Sequence, residues 1–272
     1  MRDPVPTVFA RLLPIAAALF LGACAAAPVP PATPPVVPGY EGIQDGAFFI
    51  RPVEPELLPE YRRRAVVPYN GPEEPGTIVV DTYARKLYLV MEGGQAMRYA
   101  TAVGRLGLAF KGDATIRRKV EWPSWTPTAN MIRTRPDLYA AYSAGLPGGL
   151  SNPLGARALY LYRNGRDTYF RIHGTSEYDS IGRATSAGCI RLFNQDIIDL
   201  YGRVPLGTRV KSRTEAESLA LEGPQMEDAA GYIIPYDPAH AAQMAADRLA
   251  GAGTAEVAPS LPFHAVAADP AL

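Results

Sequence analysis

Apolar and polar residues along the chain alternate in short runs that mark strands more often than helices. Residues 77–81 (Thr-Ile-Val-Val-Asp) and 86–91 (Lys-Leu-Tyr-Leu-Val-Met) are apolar runs of strand length. The turn Glu92-Gly-Gly-Gln95 carries the second run into 96–103 as a hairpin. Residues 158–162 and 167–172 make a further pair, joined through Asn164-Gly165, a dipeptide that accepts the positive φ angles of a tight turn. Residues 208–211 predict a closing strand, and 104–112 a turn. The run Asn194-Gln-Asp-Ile-Ile-Asp-Leu-Tyr201 reads as a short helix, with Asn194 as N-cap, an acid in its first turn and Gly202 past its end. Between the hairpins, 119–149 holds Trp122, Trp125, Tyr139 and Tyr142 without a clear period. A stretch that long inside a domain is often functional, and its aromatics suit either the wall of a groove or a cap on the sheet. The pattern predicts one mainly β domain over 76–212 with a few short helices.

The flanks read differently. Residues 40–75 form an N-terminal extension with a short strand at 46–50 and a brief helix over 54–64, where Arg62, Arg63 and Arg64 make a solvated face. Residues 213–272 are rich in Ala, Glu and Pro, with helical potential at 214–221 and 239–250 broken by glycine and proline. They predict a largely mobile tail. At the other end, Arg2 and Arg11 precede an apolar run over 12–23 that is too short for a comfortable membrane span and has the layout of an export signal. The Ala/Pro/Val-rich residues 24–39 predict an extended tether.

Composition narrows the picture only slightly. The chain has 272 residues, 47% of them hydrophobic, enough for one sizeable core. Its 27 basic and 27 acidic residues balance, so nothing global favours nucleic acid. His240 and His264 have no cysteines or clustered acids at ligand spacing, and neither a metal nor a cofactor is expected. The two cysteines, Cys24 and Cys189, sit in such different contexts that no disulfide is expected.

Candidate chemistry concentrates between His173 and Arg191. A free thiol is only a few per cent ionised at neutral pH, so a nucleophilic Cys189 needs a base, and His173 at the end of the 167–172 strand is the candidate. Gly188 removes a side chain beside Cys189, so the amides of Gly188 and Cys189 could face a developing oxyanion. Arg191 is placed to hold a substrate carboxylate or else to form a structural ion pair, and Ser186 is either a further candidate contact or a plain turn hydroxyl.

These residues carry a resemblance. His173-Gly-Thr, Ile181-Gly-Arg, Ser186-x-Gly-Cys-Ile-Arg191, Asn194-x-Asp and Leu206-Gly-Thr-x-Val210 resemble, in order and spacing, the signature of the L,D-transpeptidase (YkuD-type) catalytic domain. The similarity reaches upstream through 152–161 and 122–127 and covers about half the chain, from near Gly76 to near Lys211. It implies a YkuD-like β-sandwich or mixed sheet, flanked by low-order segments. It also implies acyl transfer on peptidoglycan peptide stems through a Cys189 thioester. His173 would be the base, and Gly174 would offer its carbonyl to the imidazole. The resolving group could be a stem amine, water or an amine of an envelope protein. Many members have a second histidine just before the Gly-Cys pair, where this chain has Ala187. An inactive wall-binding role is the rival reading that this departure supports. Leu21-Gly-Ala-Cys24 resembles a lipobox. It implies cleavage after residue 23, lipidation of Cys24 and a periplasmic protein held at a membrane, the outer more than the inner.

Overall fold

Ile78 and Val80 enter one core while Val79 enters another, and the next strand repeats the pattern with Leu87 and Leu89 against Tyr88 and Val90. Period-two alternation with apolar residues on both sides requires a sheet covered on both faces. The computed structural model describes residues 36–104, 110–186 and 188–251. Its strands in chain order are β1 (Ile43–Asp45), β2 (Phe48–Ile50), β3 (Ala65–Pro68), β4 (Ile78–Asp81), β5 (Lys86–Met91), β6 (Gln95–Ala100), β7 (Asp113–Glu121), β8 (Arg157–Arg163), β9 (Arg166–Thr175), β10 (Ile190–Phe193), β11 (Arg209–Ser212), β12 (Gln225–Glu227) and β13 (Ile233–Pro235). The α-helices are α1 (Ala129–Thr134), α2 (Pro136–Tyr139), α3 (Asn194–Arg203), α4 (Glu215–Glu222) and α5 (Pro238–Gly251).

Nine strands form one mixed sheet in the order β10-β9-β8-β7-β11-β4-β5-β6-β3. The β9/β10 and β4/β11 pairs are parallel and the other pairs antiparallel. Past β6 the chain turns onto the opposite edge of this order: Ala102 and Arg191 exchange both backbone hydrogen bonds at 2.9 Å. The sheet is therefore bent back on itself. Residues from both halves, such as Leu87, Tyr99, Ile172 and Leu192, share one core with Ile197 and Leu200 of α3. The fold is the mainly β, mixed-sheet arrangement that the alternation predicts.

Three local outcomes differ from expectation. The helix expected at 54–64 is a pair of 3-10 turns, Pro55–Leu57 and Glu60–Arg62, because Pro59 cannot continue a helix. Arg62 is buried instead of lying on a solvated face. Where a mobile tail is expected, Arg213 anchors α4 by reaching Asp81 at 3.1 Å and Glu222 at 2.6 Å, and Ser218 adds a bond to Asp81 at 2.8 Å. A Thr214/Glu217 capping box starts α4, the β12–β13 hairpin follows, and Ile233 N–H donates to the Gly182 carbonyl at 2.9 Å. The N-terminal extension is equally attached: Tyr40, Val53 and Leu58 pack on Tyr178, Ile181 and Phe193. The export segment, Cys24 and most of the tether lie outside the described residues, though Val37 at the tether's end is already buried in this cluster.

Candidate active site

The parallel pairing of β9 and β10 sets the site's geometry. Arg191 lies opposite His173 and Ile190 opposite Ile172, so Cys189, one residue before β10, is level with Arg171. Period two then sends Arg171, His173, Cys189 and Arg191 to one face. By strand spacing and rise, Cys189 and His173 are diagonal neighbours about 8 Å apart at Cα.

His173 is 3% exposed. Its Nδ1 lies 2.7 Å from the Gly174 carbonyl oxygen. A carbonyl only accepts, so Nδ1 carries the proton and Nε2 is left with a free lone pair. Burial, helped by the nearby Arg191 charge, pushes the imidazole down to about 3, which keeps it neutral at physiological pH. Gly174 is held tightly. A methyl group there would meet Asn194 Oδ1 at 2.2 Å and Ile197 Cγ2 at 3.0 Å. Asn194 is therefore no N-cap. Phe193 occupies the cap position, Asn194 starts α3, and its buried Oδ1 accepts from Ala156 N at 2.9 Å.

Cys189 remains partly open to solvent, and its Sγ donates to the Tyr169 carbonyl at 3.8 Å. Three residues of β9, 168–170, oppose the single Leu161 of β8, and this bulge turns the Tyr169 carbonyl toward the sulfur. Tyr169 pays for the turn with a φ of +63°, uncommon for a residue with a side chain. Loss of solvation around the sulfur raises the Cys189 thiol above its ordinary value, and the Arg171 N–H with the Arg171 and Arg191 charges pulls less strongly the other way. Arg171 is itself held by Asp167 at 2.7 Å and lies over the Tyr160 ring.

The remaining candidates are placed as follows. Ser186 Oγ donates to the Cys189 carbonyl at 2.7 Å and accepts from Gly188 N at 3.2 Å, so it shapes the turn that carries the thiol. That bond engages the Gly188 amide and leaves the Cys189 amide as the oxyanion candidate. Arg191 pairs with Glu177 at 2.8 Å, so its charge is already partnered. Trp122 packs on Phe48 at 4.4 Å between centroids, and Trp125 lies against Tyr139 and Tyr142, each at 6.3 Å. Both tryptophans are half-buried in the segment around α1 and α2. Ala187 lies outside the described residues. Arg171, Tyr169, Glu177 and Asn194 were not singled out by sequence as parts of the site; for Arg171, its spacing two residues before His173 on one strand was the available signal.

A neutral imidazole with one free nitrogen thus lies one strand away from a cysteine. The model of the YkuD L,D-transpeptidase catalytic domain matches residues 75–211, half of the chain, and the chain belongs to this family. It is 39% identical over 136 residues to an L,D-transpeptidase-like product of the ATP synthase subunits region of Fuscovulum blasticum, covering 49% of this chain and 67% of that protein. It is 33% identical over 164 residues to the "Probable L,D-transpeptidase YbiS" of Escherichia coli strain K12, covering 59% of this chain and 51% of that one. The match thus spans about half the length of this E. coli relative. A solved structure from Brucella melitensis, described as a probable carnitine operon oxidoreductase, is 49% identical, with coverage of 55% and 92% and a TM-score of 0.40.

Proposed function

We propose that this protein is a peptidoglycan L,D-transpeptidase working through a thioester on Cys189. In the first step the thiol turns about χ1 from the Tyr169 carbonyl toward His173 and gives its proton to Nε2. The sulfur bonds to the carbonyl carbon of the third, L-centred residue of a tetrapeptide stem. The C–N bond to the terminal D-alanine breaks, and the imidazolium returns the proton to the departing amine. An amine of a neighbouring stem then attacks the thioester. Its proton passes through His173 to the sulfur, which leaves as the thiol. Because the imidazolium is disfavoured by burial and by Arg191, proton uptake and C–S bond formation are coupled in time. The observation that carries this reading is the Gly174 carbonyl bound to His173 Nδ1, which aims the basic nitrogen away from its own strand.

The same proposal places the mature chain in the periplasm, lipidated on Cys24 and held at the outer membrane by the 24–39 tether. It leaves water or a protein amine as the other groups able to resolve the thioester, giving a carboxypeptidase or a protein ligase.

The test uses the intact chain with a carbapenem, read by mass. One added drug mass on the wild type and none on Cys189→Ala is expected; an unmodified wild type overturns the thioester mechanism. Tetrapeptide stems incubated with the enzyme should then yield cross-linked dimers, whereas tripeptide alone identifies hydrolysis.

A further inference from the structure

The sheet face that bears Cys189 and His173 holds an arginine in line with the thiol that the thioester chemistry does not use. Across β7, β8 and β9, Arg118 lies opposite Tyr160 and Tyr160 opposite Arg171, the residue level with Cys189. Cross-strand partners share a face, so Arg118, Tyr160, Arg171 and Cys189 form one row. Arg118 owes its place to a bulge. Ile116 opposes Leu161 in the core, and the next residue of β8, Tyr160, is met by Arg118 two residues further along β7. The extra residue, Arg117, reverses the alternation and turns Arg118 to the face of the thiol.

Both arginines lie over the Tyr160 ring, Arg118 at 4.6 Å and Arg171 at 4.2 Å from its centroid, and the tyrosine is buried between their strands. Their charges are met differently. Asp167 grips Arg171 with both oxygens, at 2.7 and 2.8 Å. Arg118 is exposed and, among the described residues, pairs with no carboxylate. Stacking occupies the face of its guanidinium and leaves the in-plane N–H groups for other acceptors. A fork already held on a ring takes a carboxylate at little further cost in side-chain freedom.

We infer that Arg118 is a specificity-determining residue that binds a free carboxylate on the donor stem, carried by the residue before the scissile one; this rests on the Cys189 thioester proposed above. Strand spacing sets the distance. Tyr160 lies on β8, two strands from the thiol, about 10 Å across the sheet. The carboxylate of the terminal D-alanine is one residue from the scissile carbonyl, within about 4 Å, and falls short of Arg118. The preceding residue lies one step the other way, and an acidic side chain with a hydrogen bond of about 3 Å covers the remainder. A stem stretched over β9 and β8 thus brings its carbonyl to the sulfur and its acid to Arg118.

The experiment gives the full chain two tetrapeptide stems that differ only in this group, one with the free carboxylate and one with its primary amide, and measures D-alanine release. In the wild type, kcat/KM should be about fivefold or more higher for the acid, mainly through KM, and the ratio should shrink as salt rises. Arg118→Gln should bring the ratio close to one, and Arg118→Lys should recover part of it. Equal kcat/KM for the two stems in the wild type, or an unchanged ratio in Arg118→Gln, overturns the carboxylate site and leaves the thioester standing. Release from neither stem overturns the thioester reading, and the carboxylate site with it. If Arg118→Gln does not fold, Arg118→Lys decides: an undiminished ratio there overturns the site.

Discussion

Gly174 does two things that a side chain would undo together. Its carbonyl fixes the His173 tautomer, and its missing Cβ lets Asn194 and Ile197 close against β9. Gly174→Ala should therefore cost about 1–3 kcal/mol of stability through overpacking. It should also slow acylation by roughly tenfold or more as the imidazole shifts, measured by denaturant titration and by the rate of carbapenem mass gain. A variant that acylates at the wild-type rate would show that the carbonyl does not position the ring. The sulfur and the ring were legible in the sequence because both sit in a dense local motif. The need for glycine at 174 was not, since the atoms it would strike arrive with α3, twenty residues later. Arg191 looked like a free substrate ligand for a similar reason: its partner Glu177 lies in the intervening loop, where spacing says nothing about which side chains meet.

At the scale of elements, strands could be read and attachments could not. β4, β5 and β6 follow the alternation because each side chain's face is fixed by its neighbour's, a purely local rule. The segment after 212 shows a helical pattern broken by glycine and proline, which suggested little order. What holds it is long-range and polar: Arg213 and Asp81, 4% and 0% exposed, meet across 132 residues. A buried pair is costly to break from one side, because the remaining charge stays uncompensated. Arg213→Met should lower unfolding stability by about 3–5 kcal/mol and open 213–235 to proteolysis. Loss of stability without that exposure would place the role of Arg213 inside the sheet instead.

Across the whole molecule, two buried groups oppose each other in acid. His173 is pushed down to about 3, so it contributes stability above its ordinary value near 6.5 that is lost as pH falls toward 3. Asp196, buried beside Arg64 and Tyr40, is pushed up to about 7. Its contribution is present below its ordinary value near 3.8 and is lost as pH rises through 7. Between about pH 5 and 6.5 the two slopes cancel, and the stability of the wild type should be nearly flat there. Asp196→Asn removes one of them, so its unfolding free energy should fall by about 1.4 kcal/mol per pH unit on acidification over that window. A flat profile in Asp196→Asn would mean that His173 titrates normally.

The exchange of hydrogen bonds between Ala102 and Arg191 joins positions 89 residues apart and ties the chain just past β6 to the β10 edge of the sheet. Closing a loop of that length costs more entropy than closing a local hairpin, so a partly folded chain reaches this contact less readily. A chain still in the act of folding thus carries its thiol on a strand whose seam is still open. Chemical competence comes with the final topology, and not with the motif that announces it.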